Sequence, residues 1–253
     1  MIDPKRLLDQ FLGAGGTSGI DGNRQGSGLD GLMGGAGGML GNLQNRAREN
    51  PMASGALAGG LAAILLGSKA GRELSGSAVK LGGMALVGGL AYKAYQDWQA
   101  GQAGQAGQTP PNASQPEILP PPKDTPFMPK ASEADDRARL LVTAMISAAK
   151  ADGHIDAGEQ KRIFERLDST NLNTKSKAYV MDQLRAPLDL DGIVRSASRP
   201  EVATEVYAAS LLAIDPDHPA EKAYLQMLAA RLGLADDLVQ EIHRTAEAAQ
   251  VPA

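Results

Sequence analysis

Residues 138–159 read ARLLVTAMISAAKADGHIDAGE. Leu140, Leu141, Ala144, Met145, Ala148 and Ala149 recur at the three- and four-residue spacing of one helical face. The run then breaks into a turn carrying Asp152, Gly153, His154 and Asp156. The pattern returns in residues 202–221, VATEVYAASLLAIDPDHPAE, where Val202, Val206, Tyr207, Ser210 and Leu211 form the face and Asp215, Asp217 and His218 the turn. An internal repeat of helix and acidic turn predicts an all-α domain.

Further helices extend the prediction outward from these two. Ile163, Phe164 and Leu167 mark one, and Ala178, Met181 and Leu184 the next. Ile193 and Val194 mark a short one. Tyr224, Leu225, Leu228 and Leu232 mark another that Gly233 ends, and Leu238, Val239, Ile242 and Ala246 the last. No stretch alternates with period two over a strand's length. Residues 131–250 therefore read as a helical bundle of about seven helices.

The rest of the chain has another character. Of the 30 glycines in 253 residues, 26 precede residue 109, a density that costs backbone entropy and leaves little to bury. Asp3-Pro4 reads as an N-cap and first helical residue, opening a short amphipathic helix with Leu7, Leu8, Phe11 and Leu12 in residues 1–12. It is too short to persist alone in water, and suits a membrane surface or a partner. Residues 13–48 read as a Gly-rich flexible linker and 99–130 as a Gln/Gly/Pro-rich tether, with eight of the 15 prolines between Pro110 and Pro129.

Residues 49–98 form a Gly/Ala-rich apolar block. Nineteen uncharged residues separate Glu49 from Lys69, and LGGMALVGGLAY follows at 81–92. A bilayer span needs about 20 apolar residues. Met52–Gly67 offers 16, which is short, and Leu74–Tyr95 offers 22 but contains Lys80. Tyr92, Tyr95 and Trp98 with Lys93 resemble an interfacial belt. Gly55/Gly59 and Gly67/Gly71 have the spacing of close-packed membrane helices, although such pairs also recur by chance where glycine is abundant. The block reads as a membrane segment, one span in preference to two. Lys69, Arg72, Lys80 and Lys93 outnumber Arg46 and Arg48, which predicts a cytoplasmic helical domain.

Several chemistries drop out. With no cysteine there is no disulfide framework, thiolate metal site or cysteine nucleophile. The formal charge of −4 is concentrated after residue 130, which argues against nucleic-acid binding. No nucleophile elbow, P-loop, zinc-protease helix or dinucleotide fingerprint occurs, so no enzyme is expected.

The acidic turns admit two readings. Asp156 with Glu159 has capping-box spacing, and Pro219 with Glu221 suits a helix start, so capping accounts for Asp156, Glu159, Asp217 and Glu221. Asp152 and Asp215 close the preceding helices, where negative charge is unfavourable. If the turns meet, six carboxylates converge in an oxygen-rich set suited to calcium, magnesium or manganese. The spacing is not that of an EF-hand, because Gly153 directly follows the first aspartate.

The runs AAKADGHIDAGE and AIDPDHPAEKAYLQMLAARLGL resemble the YebE family of bacterial inner-membrane proteins, within the TerB-like (tellurite-resistance-associated) helical superfamily. The resemblance covers residues 133–248, and extends loosely over LLGSKAGR and LGGMALVGGLAYKAY. It implies a compact helical domain, an inner-membrane anchor and divalent-cation binding at Asp152, Asp156, Glu159, Asp215, Asp217 and Glu221. The expectation is a membrane-anchored, non-enzymatic module that binds a divalent cation, a protein partner or both, with a role in envelope or metal stress. The alternative is a scaffolding membrane protein self-associating through its Gly-rich segment, its acidic turns acting only as caps.

Overall fold

The structure, a computed structural model, describes residues 2–12, 82–102, 119–151, 163, 172–214 and 219–250. The described residues form eight helices and no strand: α1 (Pro4–Phe11), α2 (Gly83–Gln102), α3 (Ala134–Ala149), α4 (Thr174–Arg185), α5 (Leu190–Ser196), α6 (Pro200–Ala213), α7 (Pro219–Leu232) and α8 (Asp236–Gln250). The all-α expectation holds for them.

Helix α6 is the centre. Every residue from Val202 to Ala213 is buried, so the helix has no solvent face and is covered on all sides. Its most extensive partner is α3; α2, α7 and α8 also pack on it. The predicted stop of α7 is where local chemistry requires it. Gly233 ends α7 at φ +68°, with Leu234 N–H donating to Ala229 O at 3.1 Å. Asn173 caps α4 by accepting from Ser176 N–H at 2.9 Å. The buried face of α4 differs from the expected one. Ser176, Val180 and Leu184 are buried, while Ala178 is exposed and Met181 half-buried. Of the expected Ile163 helix, Ile163 is described, helical and fully buried.

Two helices from before residue 131 enter the same core. In α1, Asp3 accepts from Arg6 N–H at 3.1 Å, and Leu7, Leu8, Phe11 and Leu12 are at most 2 % exposed against α3 and α2. Each such burial contributes about 1.5–3 kcal/mol, which supplies what an eight-residue helix lacks in isolation. The face expected to meet a membrane or partner is covered by the chain's own helices.

Helix α2 takes up the second half of the apolar block. Leu86, Val87, Leu90, Ala91 and Ala94 are buried against α6, α8 and α1. No helix among the described residues is long and apolar enough to cross a membrane. The described part of the expected membrane segment, 83–98, thus forms no span of its own: its buried positions from Leu86 to Ala94 find partners on α6 and α8. Residues 49–81 lie outside the described residues. The end of the expected tether also docks. Phe127 is 3 % exposed, its ring 5.6 Å from those of Tyr92 and Tyr95. The aromatic residues that resemble an interfacial belt thus hold a segment of their own chain, and Lys93 pairs with Asp97 at 2.8 Å.

Candidate functional site

One charged residue interrupts the apolar run of α6. Glu205 is 1 % exposed and pairs with Arg137 of α3, itself 8 % exposed. Taking two charges from water costs several kcal/mol each, so the pair is weak grounds for stability and good grounds for a special environment. Burial pushes the Glu205 carboxyl up to about 7, against the pull of the Arg137 guanidinium. Its Oε1 has no hydrogen-bond partner among the described residues.

Gly88 of α2 explains how Glu205 is covered. A Cβ at that position would lie 3.0 Å from Phe127 O, 3.3 Å from Pro121 Cγ and 3.5 Å from Glu205 Oε1. Glycine there lets the 119–129 segment and α2 close over the carboxylate. The cover is fastened at its far end by Arg199, whose Nη2 donates to Pro126 O at 3.3 Å.

Arg137 also faces a cleft of about 740 Å³ between α3, α4, α5 and the start of α6. Arg139, Arg199, Thr143, Ser147 and Tyr179 line it. Thr143 and Tyr179 share a hydrogen bond at 2.6 Å, and Lys150 Nζ closes one end by donating to the carbonyls of Gln183 (3.0 Å) and Ala186. Burial lowers the Lys150 ammonium from its ordinary value.

A second cleft, about 810 Å³, opens between α7 and α8 over Tyr207. Tyr207 Oη lies 2.9 Å from His243 Nε2. Burial pushes the tyrosine up to about 12 and holds the imidazole below its ordinary value, partly offset by Glu247. Glu241, two residues before His243, binds Arg244 at 2.5 and 3.0 Å.

Of the six predicted metal ligands, Asp152, Asp156, Glu159, Asp215 and Asp217 lie outside the described residues. Glu221 is described, buried in the first turn of α7 at 5 % exposure. Among the described residues no group of three or more His, Asp or Glu side chains is arranged to hold a metal. Sequence reasoning missed Arg137 and Glu205. A lone glutamate within VATEVYAASLLA was the available signal, because a charge inside an otherwise apolar run must be buried with a partner or solvated.

A protein of Yersinia enterocolitica, described as an uncharacterized protein in the ampR 5' region, is 32 % identical over 104 residues, covering 41 % of this chain and 75 % of the relative. No solved structure matches. Residues 51–246 match the family described as protein of unknown function DUF533, more than half of the chain, and the chain belongs to that family.

Proposed function

We propose that this chain is a non-enzymatic helical module of the YebE-like, TerB-like kind. In this reading it is held at a bacterial inner membrane by the apolar stretch before Gly82, with the helical body on the cytoplasmic side. It works by binding a divalent cation at its two acidic turns, a protein partner, or both.

The observation that carries this reading is the commitment of α2 to the core. With the buried face of Gly83–Ala94 used there, the uncharged run at 50–68, though short for a full span, is the apolar sequence left to meet lipid. The family match runs over residues 51–246 and so takes in that run together with the helices. For the cation, support comes from the sequence repeat and from the Arg137–Glu205 pair, which joins the two helices leading into the acidic turns. The position of Glu221 in the first turn of α7 favours a second reading, in which the turns serve only as caps.

Calcium and manganese titration of the full chain separates these readings. A bound cation raises the melting temperature in proportion to the logarithm of its concentration above Kd. The rise should vanish in the double variant Asp152→Asn, Asp215→Asn. An unchanged melting temperature in the parent chain would leave capping as the role of the turns.

A further inference from the structure

The cleft beside Glu205 contains a charge arrangement that neither the membrane nor the cation reading uses. Arg137 is more than nine-tenths buried, yet only its Nη1 has a hydrogen-bond partner among the described residues, the Glu205 carboxylate. The rest of a guanidinium with five donors is left to the cleft that Arg137 lines. Arg139 and Arg199 line the same cleft, as does the Ser198 hydroxyl.

Acidic groups are present as well. Asp189 is engaged as the N-cap of α5, accepting from Gly192 N–H at 2.8 Å. Glu133 and Asp136 are exposed, as Arg139 and Arg199 are, so water and salt screen all four. The buried charge in the cleft wall is therefore the cation, and its fixed orientation comes from Glu205 behind it. A guanidinium held from behind by a carboxylate and open in front is preorganised for a second two-oxygen acceptor.

We infer that the Arg137 end of this cleft binds an oxyanion, a carboxylate or phosphate group on a small solute. Arg137 donates to it from within the wall and Arg199 from the rim. Glu205 acts as a positioning residue: it orients Arg137 and takes part of its charge. The site stands independently of the cation and membrane readings, since it uses none of the acidic-turn residues and no lipid.

The test is calorimetric titration of the full chain with inorganic phosphate and, separately, with succinate, in an amine buffer free of oxyanions at low salt and pH 8, where the Glu205 carboxyl is ionised. Saturable one-to-one binding of either probe is expected, and the probe that binds identifies the anion. Arg199→Gln should weaken binding about tenfold, the effect of losing one charge-assisted hydrogen bond. Glu205→Gln keeps the shape of the side chain and removes the competing charge, so it should tighten binding several-fold. A role of Glu205 in folding alone would not produce that gain. Arg137→Lys retains charge but loses the fork, and should weaken binding at least tenfold. The inference is overturned if neither probe saturates, or if binding is indifferent to both Arg199→Gln and Glu205→Gln.

Discussion

Gly83 N–H donates to Asp9 Oδ1 at 2.7 Å, so the first helix of the chain caps the second from 74 positions away. Gly82 makes the entry to α2 at φ +76°, and a Cβ on Gly83 would lie 2.8 Å from Leu8 O. The join between α1 and α2 thus requires one carboxylate and two glycines. Asp9→Ala removes an N-terminal acceptor and should cost about 1 kcal/mol. Gly83→Ala forces the helices apart and should cost about 1–3 kcal/mol. Urea denaturation of the full chain measures both, and a smaller loss for Gly83→Ala than for Asp9→Ala would place the helices less closely than described.

The burial of α1 makes a sharper prediction. Phe11 is 1 % exposed, and truncation of a buried phenylalanine typically costs about 3–5 kcal/mol. Phe11→Ala should lower the unfolding midpoint of the whole helical body in one transition. A loss under about 1 kcal/mol would mean that α1 is peripheral to the core.

Glu205 sets one pH dependence. Its folded-state value of about 7 lies above the ordinary 4.5, so the folded state holds a proton that the unfolded chain has released between those values. Stability from this group is present at low pH and falls as pH rises from about 4.5 through 7. Glu205→Gln stays neutral throughout. Between pH 5 and 8 the parent chain should lose about 3 kcal/mol relative to that variant, the order set by 1.36 kcal/mol per unit. Parallel stability curves would mean an ordinary carboxylate.

His243 sets the opposite slope. Its folded-state value lies below the ordinary 6.5, so the unfolded chain takes up a proton first as pH falls. The stability it contributes is present above pH 6.5 and is lost below it. His243→Gln, compared with the parent from pH 7.5 down to pH 5 by thermal melts, should lack that component. A difference that is constant with pH would contradict the desolvation of the His243 imidazole.

The described helices of 134–250 were legible because their apolar positions repeat at helical spacing and Gly233 ends one of them. The roles of α1 and α2 were not. Leu7, Leu8, Phe11 and the 83–94 run have the same periodicity whether lipid, a partner or the chain's own core covers them, and only tertiary packing distinguishes these. Phe127 was hidden for a related reason: a single aromatic in a proline-rich stretch has no period to announce a docking site. Of the candidate site, the acidic turns were visible as motifs, whereas Arg137 and Glu205 lie 68 residues apart and become a pair only when α3 meets α6.

The proposed function requires a folded helical body containing α2 that is anchored through the stretch before it. Alkaline carbonate extraction of bacterial membranes tests this on the full chain and on a chain whose residues 51–81 are replaced by a Gly/Ser linker. The full chain should remain with the membrane pellet. The replaced chain should appear in the supernatant with an unchanged melting temperature. Retention of the replaced chain in the pellet, or release of the full chain into the supernatant, would contradict the account.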